Sequence, residues 1–212
     1  MRVLVTILVG SLLVVPTQAQ YSGGSGTPDD PYQIATAADL IALGETPDDY
    51  DKHFILTADI DLDPNLPGRR VFDQAVIAPD TALRYSFGGT SFRGVFNGNG
   101  HTISRLTIRG GGYLGLFGRT ESGARISNLG LEAIDLDGTD DYVGGVVGHN
   151  VDGSITRSYS TGSVSGHHDY FGGLVGYNTR GSITTSYSSG TVSGYRYVGG
   201  LVGGNWGTIS AC

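Results

Sequence analysis

An all-β fold, a right-handed parallel β-helix or solenoid with a short N-terminal capping helix, is predicted by three observations. The first is self-similarity. Residues 142–166 and 170–194 are identical at 17 of 25 positions, and the motif beginning Tyr-x-Gly-Gly restarts at Tyr142, Tyr170 and Tyr197, a period of 28 and then 27 residues. Repetition at 20–50 residues marks a solenoid, propeller or array. The second is the content of the repeat, dense in Gly, Ser, Thr, Val, Ile and Tyr. Glycine costs roughly 1 kcal/mol per helix-interior position relative to Ala, whereas Val, Ile, Thr and Tyr suit a pleated surface. The third is a helix-start signature near the front of the chain, a candidate lid for the first rung.

Three short strands and three corners fit one repeat. Corners are expected at Asn150–Gly153, Gly162, Gly166 and Gly190–Gly194, where glycine and asparagine punctuate the pattern. Rungs stacking at roughly 4.8 Å place equivalent residues over one another. Ile155, Ile183 and Ile209 then form one apolar file, and Val164 and Val192 a second. A third is formed by Val146, Leu174 and Leu201 or by their neighbours Val147, Val175 and Val202; the first set is taken as inward. Asn150, Asn178 and Asn205 are placed to form an amide ladder, and Tyr159 and Tyr187 to stack.

The string GGLVG-x-N-x-x-G-x-I, present as Gly172–Ile183, resembles the GLUG motif repeat. The segments GTPDDPYQIATAADLIAL, FILTADIDL and FRGVFNGNGHTISRLTI are similar to the lead-in of such arrays. The resemblance implies a secreted or surface β-solenoid, adhesin-like or akin to the non-catalytic N-terminal parts of immunoglobulin-A1-protease-type proteins, and carries over no catalytic residue.

Taken in order, residues 1–19 have a positive start at Arg2, an apolar run Val3–Val15, a break at Pro16 and small residues before Ala19. This predicts a signal peptide cleaved after Ala19 and a secreted or cell-surface location, with no membrane span after cleavage. Residues 20–34 read as an irregular leader and 35–112 as cap and lead-in rungs. Residues 113–141 form a degenerate repeat, 142–169 and 170–196 two complete ones, and 197–212 a partial one. Thr36 followed by Asp39 is a capping-box pattern opening a helix over 37–43. Phe54–Asp63 alternates and predicts one strand with Phe54, Leu56, Ala58, Ile60 and Leu62 on one face. Residues 64–83 read as a long excursion. Phe92–Ile108 returns to strand with a bend near Ser104 and turns at Asn97-Gly98 and Asn99-Gly100. Ile103, Leu106, Ile108, Ile126, Leu129, Leu131, Ile134 and Leu136 are expected in the core.

The single cysteine, Cys212, excludes an internal disulfide, and the formal charge is −7. Charge is uneven. Residues 21–80 carry 12 acidic residues against Lys52, Arg69 and Arg70, net −9, and residues 81–212 carry 8 against 9 arginines, net +1. No basic patch points to nucleic acid.

Candidate chemistry is sparse. Asp59, Asp61 and Asp63 share one strand face and, with loop ligands, have the chemistry for calcium. Asp135, Asp137, Asp140 and Asp141 gather near a corner without EF-hand spacing. His167-His168-Asp169 lies at another corner, without further Cys or His ligands for zinc. Gly98-Asn99-Gly100 lacks the lysine of a phosphate loop. Thr161/Ser189, Ser163/Thr191 and Ser165/Ser193 form hydroxyl ladders of the kind that bind ice or polysaccharide. No catalytic, cofactor or metal residue is assigned. The reading is a non-catalytic module for adhesion or surface display, meeting a glycan or protein ligand, with self-association through an uncapped last rung. The alternatives are a β-helix polysaccharide lyase or hydrolase built on the Asp59 row with Arg69-Arg70, and a fragment of a larger surface protein with catalysis elsewhere.

Overall fold

The computed structural model describes residues 20–82 and 86–212; the expected signal peptide lies outside them. All strand-to-strand ladders are parallel, and they build three faces of a β-solenoid whose regular part makes about four turns. The Ile face runs from Tyr32–Ile34 through His53–Leu56, Val95–Asn97, Arg125–Ser127 and Ser154–Thr156 to Val175–Thr184 and Val202–Ser210. The Ser/Thr face holds Ile60–Asp61, Thr102–Ser104, Thr107–Gly110, Gly130–Gly138, Tyr159–Gly166 and Tyr187–Val192. The Gly face is small: Val143–Gly144, Asp169–Gly172 and Arg196–Gly199.

Like residues sit over like, as the period demands. Tyr32, Phe54, Phe96, Ile126, Ile155, Ile183 and Ile209 form one continuous file. Ile108, Leu136, Val164 and Val192 form another. A fully buried aliphatic contributes roughly 1.5–3 kcal/mol, and each file is dry over most of its length. The amide ladder is complete. Thr120 Oγ1 donates to Asn150 Oδ1 at 2.6 Å, Asn150 Nδ2 to Asn178 Oδ1 at 2.7 Å, and Asn178 Nδ2 to Asn205 Oδ1 at 2.7 Å. Asn150 and Asn178 also close their own corners through the carbonyls of Gly153 and Gly181. Cys212 continues the Ser158/Ser186 column: the Ser158 N–H donates to Ser186 Oγ and the Ser186 N–H to Cys212 Sγ.

Three expectations are corrected. Val146 and Leu174 are inward, but so are Val147 and Val175, all fully buried. The chain turns here from the Gly face to the Ile face, and strict alternation holds only along a straight strand. The same turn explains the paired glycines: a Cβ on Gly144, Gly172 or Gly199 would run into the carbonyl oxygen of Val147, Val175 or Val202. Second, Phe54–Asp63 is not one strand. His53–Leu56 belongs to the Ile face and Ile60–Asp61 to the Ser/Thr face, with a corner between them that leaves Ala58 only half-buried. Third, Gly162 is not a corner. It sits inside Tyr159–Gly166 at φ 120°, where pairing to Gly130–Gly138 slips by one residue, a bulge. The corner that glycine did not mark lies at Asn128, Arg157 and Thr185, all left-handed (φ 54°, 48° and 51°). Their N–H groups bond to carbonyls of the next rung, Thr156, Thr184 and Ser210.

The front end is closed. Helix α1 (Ala37–Gly44) has Thr36 as N-cap, with the full capping box to Asp39. Leu40 and Leu43 bury fully, and Tyr21, Tyr32, Phe54, Phe92, Phe96 and Phe117 pack as an aromatic plug beneath. Residues 64–82 of the excursion are not external to the core: Phe72 bridges to Ile108 and Ile77 to Phe117, supplying the starting members of two files. At the other end, Trp206, Val198 and Ile209 are exposed on the last rung.

Candidate interaction cleft at the tyrosine corner

The repeat brings most chemistry together at the corner entering the Gly face. Tyr113, Tyr142, Tyr170 and Tyr197 occupy it on successive rungs, all left-handed with φ between 53° and 70°. That conformation costs a non-glycine residue roughly 1–2 kcal/mol, and ring contacts offset it. Centroids lie 4.9 Å apart for Tyr113–Tyr142, 5.2 Å for Tyr142–Tyr170 and 4.6 Å for Tyr170–Tyr197. A parallel inner row holds Arg119, His149 and Tyr177 in register. The His149 ring stacks on Tyr142 at 5.1 Å, and its Nε2 meets Thr179 Oγ1 at 3.0 Å. Burial, aided by the Arg119 charge, pushes its pKa down to about 4. Burial likewise raises Tyr142 to about 12. The Tyr142, Tyr170 and Tyr197 rings stack along the coil axis and cover one another's faces, while Tyr113 is tilted against Tyr142.

Beside the ladder, Asp140 and Asp141 meet His168 from the rung above. His168 Nδ1 is 3.6 Å from Asp141 Oδ1 and 3.9 Å from Asp140 Oδ1. Asp141 is pinned by the N–H of Asp169 at 2.9 Å. The three ligand atoms lie within 4.8 Å of one another, a carboxylate–imidazole set able to hold a divalent cation. They line a cleft of about 660 Å³ with Asp80, Tyr113 and Tyr142. A second hollow, about 380 Å³, shares Asp141 and His168 and is lined further by His167, Asp169, Tyr195 and Arg196.

The other sequence candidates are occupied locally. Asp61 and Asp63 are bridged by Arg105, whose hydrogen bond lowers the Asp61 pKa. Asp59 accepts from the Thr102 N–H at 2.8 Å and pairs with His101 at 3.2 Å. The three carboxylates therefore serve cross-rung pairing. Arg69 donates to the Asp61 carbonyl at 3.0 Å, while Arg70 lies over the Phe72 ring, so the pair does not converge on the acidic row. The other acidic group splits. Asp135 and Asp137 stay on the Ser/Thr face with Arg109, Ser163 and Ser165, away from Asp140 and Asp141. Asp169 takes a bidentate bond from Arg196 rather than serving His168. Gly98-Asn99-Gly100 is a rung corner with Asn99 and Gly100 left-handed. The hydroxyl pairs Thr161/Ser189 and Ser163/Thr191 are in register. Residue types and local spacing do not by themselves show the tyrosine ladder, the inner row or the convergence of His168 on Asp140 and Asp141. The repeat length carried the signal, since adding 28 to 140 gives 168.

Residues 141–165 and 168–193 match the GLUG motif, so the two complete repeats are GLUG repeats. Halomucin of Haloquadratum walsbyi is 33% identical over 148 residues, which is 68% of this chain and 2% of that protein. A "Putative Gly-rich membrane protein" of Evansella cellulosilytica is 36% identical over 142 residues, 61% of this chain and 14% of that protein. The chain thus spans a small part of either relative. A crystal structure titled as a putative immunoglobulin A1 protease from Bacteroides ovatus superposes with a TM-score of 0.52 at 16% identity, over 90% of this chain and 65% of that one. At that identity the likeness is one of fold.

Proposed function

We propose that the chain is a non-catalytic interaction module displayed outside the cell, and that the tyrosine corner with its cleft is the surface that meets a glycan or protein ligand. The observation that carries this is the cleft, a concave patch in which carboxylates, phenols and an imidazole converge on a stack of ladders, convergent polar groups in a concavity being what fixes a ligand's orientation. Display outside the cell is supported by the signal-peptide pattern of residues 1–19 and by relatives named as a halomucin and a membrane protein. The engagement of the repeated polar side chains in rung-to-rung bonds favours a scaffold over a reaction centre.

Residues 20–212 immobilised on a sensor and exposed to a panel of polysaccharides and surface proteins test the reading. Saturable binding is expected, weakened when Asp140→Asn and Asp141→Asn are combined, with no release of reducing ends or unsaturated sugars. Turnover of any polysaccharide by the wild-type chain would overturn it.

A further inference from the structure

The tyrosine ladder has a chemistry of its own, independent of any ligand. Four phenols on successive rungs are held ring to ring by backbone register. Tyr170 and Tyr197 are 4.6 Å apart and 5° from parallel, Tyr142 and Tyr170 5.2 Å and 17°. Tyr113 lies 4.9 Å from Tyr142. A second stack, Tyr159 on Tyr187, lies on the Ser/Thr face at 5.0 Å and 3°. The corner rings are half-buried and Tyr197 exposed, so their edges are open to a reagent. Tyr21 and Tyr32 are equally close, but Tyr21 is only 5% exposed and its hydroxyl is held by Asp49. With one cysteine in the chain, no disulfide can staple one rung to another.

We propose that the corner tyrosines are an oxidative cross-linking site, at which an external one-electron oxidant, such as a haem peroxidase turning over hydrogen peroxide, joins tyrosines of adjacent rungs into dityrosine. Each phenol loses one electron and its hydroxyl proton to give a phenoxyl radical. Two radicals on neighbouring rungs pair their unpaired electrons in a new bond between ortho carbons. The hydrogens on those two carbons move to the oxygens, restoring both phenols. Two hydrogen atoms leave in all, and one hydrogen peroxide becomes two waters. Prepositioning makes the coupling intramolecular, because the second ring is supplied at an effective concentration that free chains do not reach. The product is a staple between rungs one repeat apart, constraining the unfolded chain as a disulfide of that loop length would.

Tryptic mapping reads the site directly, because arginines separate the ladder into 110–119 (Tyr113), 126–157 (Tyr142), 158–180 (Tyr159, Tyr170, Tyr177), 181–196 (Tyr187, Tyr195) and 197–212 (Tyr197). Residues 20–212 are treated with peroxidase and limiting peroxide at low protein concentration. The monomer is then isolated and analysed by dityrosine fluorescence and mass spectrometry. The expected products are 158–180 joined to 197–212 and 110–119 joined to 126–157, each lighter by two hydrogens, in a monomer of raised Tm. Tyr197→Phe, which keeps the ring, is expected to abolish the first link and leave the second. Tyr195 is the internal control, 74% exposed and outside both tyrosine stacks. A monomer without dityrosine, links found only between molecules, or intramolecular links dominated by Tyr195 would overturn the proposal.

Discussion

The lead-in and the repeats are one coil held together in two ways. In residues 20–112 aromatic rings meet at varied tilts, Tyr21 against Phe54 and Phe54 against Phe92, and Phe96 reaches edge-on to Phe117 of the first repeat. Shape fills the space, and α1 closes the end. In residues 113–212 like meets like: Ile on Ile, Asn on Asn, Tyr on Tyr. There many side chains are matched to their own copies, and the asparagines run as a ladder through the buried interior. The lesson concerns what a mutation finds to break. In the lead-in it is a cavity; in the repeats it is a partner.

Three substitutions sharpen that contrast. Phe96→Ala has the largest effect, since the ring is fully buried between Phe54 and Ile126 in the file. Emptying such a site costs about 3–5 kcal/mol, read as a fall in the denaturant midpoint. Asn150→Ala comes next. It removes the acceptor of Thr120, the donor to Asn178 and the donor to Gly153 in the interior. At about 1–3 kcal/mol per orphaned group with partial relaxation, the loss is on the order of 2–3 kcal/mol. A cost no greater than that of the outward-facing Thr161→Ala would mean the amide ladder holds nothing. The third effect is pH-dependent. Folding keeps the His149 imidazole neutral, with its pKa lowered from 6.5 to about 4 by burial. The unfolded chain therefore takes up the proton first as pH falls. The stability this group protects is intact above about pH 6.5 and is lost progressively down to about pH 4, by no more than about 3 kcal/mol. His149→Gln should flatten the unfolding free energy across that window; an unchanged slope would show that His149 is solvated in the folded state.

Much of the coil is legible from spacing alone. A period of 28 and then 27 residues places Asn150 over Asn178 over Asn205, and 28 places Ile155 in register with Ile183; Ile209 follows Ile183 by 26, because the last rung is one residue shorter at the register shift between Thr179 and Ser182. The capping box of Thr36 and Asp39 is equally legible, since it depends on four consecutive residues. What spacing does not reveal is where straight strand gives way to corner. Alternation predicts one inward residue of each Val146/Val147 pair, and the turn between faces buries both. Corners occupied by Tyr142 and Arg157 carry no glycine signal, because rung-to-rung hydrogen bonds and stacking hold them left-handed. The cleft was hidden for a related reason. Chain proximity groups Asp140 and Asp141 with Asp135 and Asp137, whereas their partner His168 is one repeat away.

In-register stacking is tested most directly by disulfide trapping across two rungs. Thr161 lies over Ser189 and Ser163 over Thr191 on the Ser/Thr face. In a Cys212→Ser background, cysteines at 161 and 189 should oxidise readily to an intramolecular disulfide, because adjacent strands place their Cα atoms within bonding reach. Cysteines at 161 and 191, two residues out of register, should not. Equal trapping of the two pairs, or trapping of the second alone, would contradict the stacked coil.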